Sequence, residues 1–152
     1  MGEKALNLQT YGKLETYMLA CMDDSAHDKD HIYRVLYAAL DIASHESNVD
    51  GDVLICACLL HDIGRREQFD NPKLCHAVVG GKKAYAFLIS EGFAPEYALR
   101  VQACITTHRF RTDRQPESIE AKILFDADKI DVTGTLGIAR TIFYAGQLSQ
   151  PL

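Results

Sequence analysis

The feature that most constrains the fold is an apolar run, Val53–Leu60, which ends directly at the dyad His61-Asp62. Its letters, VLICACLL, are apolar on every side of a helix, and such a helix must be covered by other elements on all its faces. Gly64 follows the dyad as a stop signal. The sequence therefore predicts a central helix that is surrounded by partners and carries two ionisable side chains at its carboxyl end.

The remaining apolar residues also recur at helical spacing, and no segment alternates as a strand does. The expectation is a single all-α domain over residues 1–152, a bundle of about six to seven helices. Besides the central helix, the predicted helical segments are residues 10–22, 31–43, 77–91, 95–108, 118–131 and 135–144.

Composition argues against several classes of protein. The formal charge of −5 is unlike that of a general nucleic-acid surface, and the longest apolar run is far short of the roughly 20 residues that span a bilayer. The N-terminus lacks the apolar core of a signal peptide, and five cysteines lack the spacing of a zinc knuckle. We expect a cytoplasmic protein with reduced thiols that binds neither membranes nor nucleic acid stably. The oligomeric state stays open.

Several ionisable residues occupy positions on apolar helix faces. His61 continues the apolar stripe of the central helix, with Asp62 beside it. His108 and Asp128 lie on the inward faces of later predicted helices, and His31 opens an earlier one. A buried, unpaired carboxylate costs several kcal/mol and usually finds a cation. A divalent metal would satisfy all of these groups, and imidazoles with carboxylates suit Mn, Fe, Co, Ni or Zn, with Mg less natural.

Each of these residues also has an ordinary structural interpretation. His76 and His108 could be core histidines bonded to carbonyl groups, Asp62 could cap a helix, and Asp128 could pair with an arginine or lysine. Asp131 lies one turn after Asp128 on the same side of its helix, so it either orients a ligand histidine or simply ends the helix.

The order of three segments resembles a known superfamily. His31, then LLHDIGR with His61-Asp62, then DADKID with Asp128, resembles the H…HD…D signature of HD-domain phosphohydrolases. The segments HDKDHIYRV, TTHRF and GTLGIARTIFY extend the similarity to small stand-alone HD hydrolases over about residues 27–144. The resemblance implies that His31, His61, Asp62 and Asp128 are the primary metal ligands.

The resemblance also bears on a second metal. Relatives with two metals add histidines between the dyad and the last aspartate, and His76 and His108 fall in comparable places, so Asp62 could bridge two ions. Arg109 stands where cyclic-dinucleotide phosphodiesterases place another histidine, and their GYP signature is missing. Cyclic-dinucleotide cleavage is therefore not expected, and the number of metals, one or two, stays open. Many members continue with further helices beyond IARTIFY, so this sequence is expected to be either a truncated chain or a short member, and elements that close over a substrate could be missing.

The function predicted is that of a metal-dependent phosphohydrolase acting on a small phosphorylated substrate, with nucleotides among the candidates. A metal-activated water would attack a phosphate monoester or diester, with Asp62 orienting the water while Arg65 and Arg109 hold the phosphate oxygens. The other arginines near the two histidine segments are expected to lie on a solvated surface: Arg66, Arg111 and Arg114.

Two alternatives from other classes remain open. A few HD-fold proteins with a similar ligand set use paired iron to activate oxygen, and His76 and His108 keep that possibility available. A metal-binding regulatory domain without turnover is the third hypothesis, although no ligand of the signature is missing.

Overall fold

The computed structural model of the chain describes residues 5–22, 29–109, 113–147 and 149–150. These residues form eight α-helices and no strand, which confirms the all-α prediction. The helices are α1 (Leu8–Cys21), α2 (Lys29–Ala43), α3 (Gly51–Leu60), α4 (Arg65–Asp70), α5 (His76–Ser90), α6 (Pro95–Thr107), α7 (Ile119–Ile130) and α8 (Gly134–Gln147).

Helix α3 is the centre of the fold, as its composition predicts. Seven of its ten residues are buried, and Ile55 is the one member of the apolar run that is not fully so. It contacts α1, α2, α5, α6 and α7. Covering α3 on all sides removes its apolar side chains from water, which is the main favourable term in folding. The packing also brings its carboxyl end, with His61-Asp62, into the interior.

Local sequence signals set the ends of several helices. The side chain of Asp50 accepts a hydrogen bond from the backbone N–H of Val53 and caps α3, and Ser118 caps α7 in the same way. Pro95 occupies the first turn of α6, where its missing N–H costs nothing. Gly92 follows α5 with a φ of 84°, a conformation that glycine adopts without strain.

The structure differs from the sequence expectation after the His61-Asp62 dyad. Helix α4 was not predicted, because its residues RREQFD carry no apolar stripe and none of them is buried. Gly64 has a φ of −96° and precedes α4, so it is not a left-handed helix stop. It is instead a point of close backbone approach, since a Cβ there would overlap the carbonyl oxygen of His76 and lie 2.6 Å from the amide nitrogen of Gly80.

Helix α8 is packed least closely. Within it, Gly137 alone is buried, and its large apolar side chains are 46–63% exposed. No helix in the described ranges combines the length and apolar character that a membrane span requires.

Candidate metal centre

Six side chains from five helices or their ends form two adjacent sets of metal-ligating atoms. The first set is His31, His61 and Asp128, and the second is Asp62, His76 and His108. Within each set, one nitrogen or oxygen atom per residue lies within 4.8 Å of the others. These spacings suit three ligands around one ion, because metal–ligand bonds of about 2.0–2.2 Å place neighbouring ligand atoms roughly 3–4 Å apart.

Asp62 faces both sets at once. Its Oδ2 lies 3.6 Å from Nε2 of His31 and 3.8 Å from Nε2 of His61. Its Oδ1 lies 3.5 Å from Nε2 of His76 and 3.7 Å from Nε2 of His108. One carboxylate therefore offers an oxygen to each set, the arrangement of a bridging ligand.

The four histidines all direct Nε2 toward the centre because each Nδ1 is held from behind. Nδ1 of His61 donates to the carbonyl of Cys58 at 2.8 Å, and Nδ1 of His108 donates to the carbonyl of Ile105 at 2.6 Å. In the same manner, His31 donates to Oδ2 of Asp131 at 2.7 Å, and His76 donates to Oε1 of Gln68 at 2.5 Å. With the proton fixed on Nδ1, Nε2 of His61, His76 and His108 has its lone pair free to bind a metal, whereas Nε2 of His31, 3.3 Å from Oδ1 of Asp128, gives up a proton when it binds one.

An unpartnered buried atom tests whether a cation fits this site. Oδ1 of Asp62 is buried and accepts no hydrogen bond from the described residues, and Nε of Arg65, 3.0 Å away, pairs with it by charge. A buried carboxylate with an unused lone pair is unfavourable, and a further cation would satisfy it. The donor set of imidazole nitrogens and carboxylate oxygens is that of divalent transition metals. The residues present therefore fit a bound metal.

The protonation of two histidines favours metal binding. Burial lowers the pKa of His61 to about 4, despite the neighbouring charge of Asp62. Burial, together with the positive charge of Arg65, lowers the pKa of His76 to about 2. Both imidazoles are neutral at pH 7, and the neutral imidazole is the form that binds metals.

The carboxylates of the site are ionised. Burial alone would raise the pKa of Asp62, but Arg65 and the surrounding imidazoles hold that pKa well below its usual value. The pKa of Asp128 is lowered in the same way by its hydrogen bond with His31. Although burial opposes the charged form of His31, Asp128 and Asp62 raise its pKa above 6.5.

Asp131 is the most heavily bonded carboxylate near the centre. Besides His31, it accepts hydrogen bonds from Nε of Arg34 and from NH1 of Arg140, both at 2.7 Å. It therefore joins α2, the end of α7 and α8 behind one imidazole. Asp126, two residues before Asp128, is exposed, as the helical geometry predicts.

A cavity of about 210 Å³ opens onto the two ligand sets. Four cationic side chains line it: Arg65, Arg109, Lys129 and Arg140. Arg66 is exposed and Arg114 pairs with Asp113, so neither lies with these four. Arg111 lies outside the described residues.

The sequence analysis assigned no role to four polar residues around the centre: Arg34, Gln68, Lys129 and Arg140. Gln68 gave no signal because α4 shows no helical apolar pattern. Nζ of Lys129 donates to Oδ2 of Asp128 at 2.8 Å and to the carbonyl of His108 at 3.0 Å. Arg140 gave a usable signal, since it lies three residues after buried Gly137 and therefore on the same side of α8.

Comparison with known proteins shows which family has this architecture. The family model described as HD domain matches residues 29–133, which is well over half of the chain. The chain belongs to the HD-domain family. An uncharacterized protein of Bacillus subtilis, YpgQ, is 33% identical over 140 residues, covering 88% of this chain and 65% of YpgQ.

Solved structures agree with the family. This HD-domain chain superposes with a TM-score of 0.73 on a predicted HD superfamily hydrolase from an uncultured Thermotogales bacterium, at 32% identity over 91% of this chain and 82% of that one. It superposes with a TM-score of 0.71 on B. subtilis YpgQ in complex with ADP, at 30% identity over 95% of this chain and 70% of that one. The fold is therefore that of the HD superfamily hydrolases, and the chain spans just under two thirds of the length of its curated relative.

Proposed function

We propose that this chain is a metal-dependent phosphohydrolase that acts on a small phosphorylated substrate of the nucleotide class. The main support for this proposal is the pair of ligand sets joined by Asp62 at a cavity that four cationic side chains line. A site that both binds metal and attracts anions suits the hydrolysis of phosphate esters. The ADP complex of the relative YpgQ supports a nucleotide as the anion.

The ligands divide according to the two sets. His31, His61 and Asp128 would hold one ion together with Oδ2 of Asp62, and His76 and His108 would hold a second with Oδ1 of Asp62. When bound, the metal supplies Lewis acidity, which lowers the pKa of a water molecule and neutralises charge on a phosphoryl oxygen.

The chain's own residues orient the reactants. Asp62 is ionised and buried, so while one ion is bound its other oxygen would accept a hydrogen bond from the attacking water and fix its direction. Arg65 and Arg109 lie on the rim with guanidinium groups that can bind phosphate oxygens in pairs. Lys129 and Arg140 add positive charge where a second phosphate group would lie, which favours a substrate with more than one phosphate.

The cationic lining is the observation that separates this proposal from the oxygenase. Three of the four cations, Arg65, Lys129 and Arg140, already pair with carboxylates, yet all four also line the cavity, where the oxygens of a phosphorylated substrate could bind them and an uncharged substrate would not. Oxygen consumption without phosphate release would support the oxygenase. Metal binding without turnover of any substrate would support a regulatory domain.

The deciding experiment uses Asp62→Asn, which keeps the shape of the side chain and removes its charge. Purified protein is stripped of metal, reloaded separately with Mn, Fe, Co, Ni, Zn and Mg, and assayed for phosphate release from model esters and from nucleoside mono-, di- and triphosphates. We expect kcat to fall at least about 100-fold, since a metal supplies several kcal/mol of transition-state stabilisation. Asp126→Asn, an exposed carboxylate, should retain wild-type kinetics.

A second substitution separates substrate binding from metal binding. Arg65→Ala should raise KM about tenfold while metal remains bound, and the exposed neighbour Arg66→Ala should not. If Asp62→Asn hydrolysed esters at the wild-type rate, the proposed function would be wrong.

A further inference from the structure

One ligand of the first set, His31, has a carboxylate behind it. Nδ1 of His31 donates to the carboxylate of Asp131, and a carboxylate partner makes the imidazole a stronger metal ligand. Arg34 and Arg140 bind the same carboxylate, which keeps it ionised and fixed in place. This set has two anionic ligands, Asp128, which also binds Lys129, and Oδ2 of Asp62, the oxygen away from Arg65.

The second ligand set has neutral groups behind it and a positive charge beside it. His76 donates to the amide oxygen of Gln68, and His108 donates to a backbone carbonyl. Nε of Arg65 is 3.0 Å from Oδ1 of Asp62, the same oxygen that faces His76 and His108. A cation entering here would meet a guanidinium that is already beside its only anionic ligand.

We propose that the two positions bind divalent metal with unequal affinity: the set of His31, His61 and Asp128 holds its ion tightly, whereas the set of Asp62, His76 and His108 fills weakly until an anion offsets the charge of Arg65. This inference rests on the part of the proposed function that assigns both sets to metal. It requires no assumption about which ester is hydrolysed.

The same arrangement couples the weak position to phosphate. An anion bound by Arg65 reduces the repulsion that the guanidinium exerts on a second ion. By reciprocity, the second ion strengthens binding of the anion by the same factor. The second metal would therefore be recruited together with the phosphorylated substrate.

Calorimetric titration of the metal-free protein with Mn²⁺ tests the inference without any catalytic assay. We expect two classes of site, one equivalent each, with dissociation constants at least about tenfold apart. Millimolar inorganic phosphate should tighten the weaker class and leave the tighter one unchanged. Co²⁺ titrated under the same conditions gives an independent readout, because its visible absorption reports the ligands of each class.

Variants identify which position is which. Arg65→Gln should tighten the weaker class, and Gln68→Glu should do the same by placing a carboxylate behind His76. Asp131→Asn should weaken the tighter class about 10- to 100-fold. Arg66→Gln, an exposed arginine on the same helix, is the matched control and should change neither.

The outcomes that overturn the inference are distinct from those that overturn the hydrolase. Two equal classes in the wild type, a single equivalent at all metal concentrations, or a weaker class that neither Arg65→Gln nor Gln68→Glu alters would each refute it. Unequal binding in a protein that releases no phosphate would uphold this inference and refute the proposed function.

Discussion

Gly64 connects the stability of the fold to the metal centre, and Gly64→Ala tests that connection. Its φ of −96° is available to alanine, so the substitution strains no backbone dihedral angle. The new Cβ would overlap the carbonyl oxygen of His76 and would stand 2.6 Å from the amide nitrogen of Gly80. Both are backbone atoms and cannot rotate away, so the turn after Asp62 and the start of α5 must separate.

Overpacking of this kind typically costs 1–3 kcal/mol, and contacts with rigid backbone on two sides place Gly64→Ala near the upper end, at about 3 kcal/mol. For a chain of this length the Tm should fall by roughly 6–12 °C. Thermal unfolding of the metal-free protein, followed by circular dichroism, measures the change without a contribution from ligand binding.

Gly12→Ala is the matched control for that experiment. Gly12 lies inside α1, and a Cβ there meets no atom within 4 Å, so alanine should stabilise the helix by about 0.5–1 kcal/mol. If Gly64→Ala unfolded at the wild-type temperature, the backbone approach between the dyad turn and α5 would be wrong.

Two further predictions concern titratable groups. The metal-free protein should lose at most about 3 kcal/mol of unfolding free energy between pH 6.5 and pH 5, because unfolding lets His61 and His76 take up protons that their lowered pKa values of about 4 and about 2 exclude in the folded state. The raised pKa of His31 acts in the opposite direction and offsets part of that loss. Urea unfolding at the two pH values in a chelator measures this, and a flat profile would contradict it. Brief iodoacetamide treatment at pH 7.5 should label Cys75 before Cys56 and Cys104. Burial would raise the pKa of Cys75, but backbone N–H groups and Arg109 lower it, whereas burial raises the pKa of Cys56 to about 12 and that of Cys104 to about 11. Peptide mass spectrometry gives the order, and equal labelling would refute it.

The sequence predicts the fold where one physical signal dominates. The apolar run and the capping residue before it predict α3, and the paired glycines Gly80-Gly81 near the start of a helix indicate a point of close packing. In the structure Gly80 lies against the backbone of Gly64, and Gly81 lies against Thr106. Small side chains at such points leave a pattern that periodicity can reveal.

Helix α4 could not be predicted in the same way. It buries no residue, so no apolar spacing marks it, and its backbone hydrogen bonds are maintained by the turn after Asp62 and by contact with α5. Nζ of Lys83 on α5 donates both to the carbonyl of Ile63 and to Glu67, which fixes α4 from outside. Contacts between residues 16 or 20 positions apart are not visible in a one-dimensional pattern.

The candidate site, like the fold, was predicted only in part from the sequence. Inward position on a helix face identified His61, Asp62 and Asp128, and the structure brings them together with the predicted histidines. Their roles as metal ligands stay predictions until metal is measured. The arrangement into two sets and the place of Gln68 depend on how α4 and α5 lie against α3, which only three-dimensional packing specifies.

The hydrogen bonds behind the four imidazoles have a consequence for how an ion would arrive. Each ring is immobilised as the helices assemble, so its rotational freedom is already lost before any ligand is present. An incoming cation therefore meets lone pairs that are aligned in advance, and the entropy of ordering those rings does not oppose its capture.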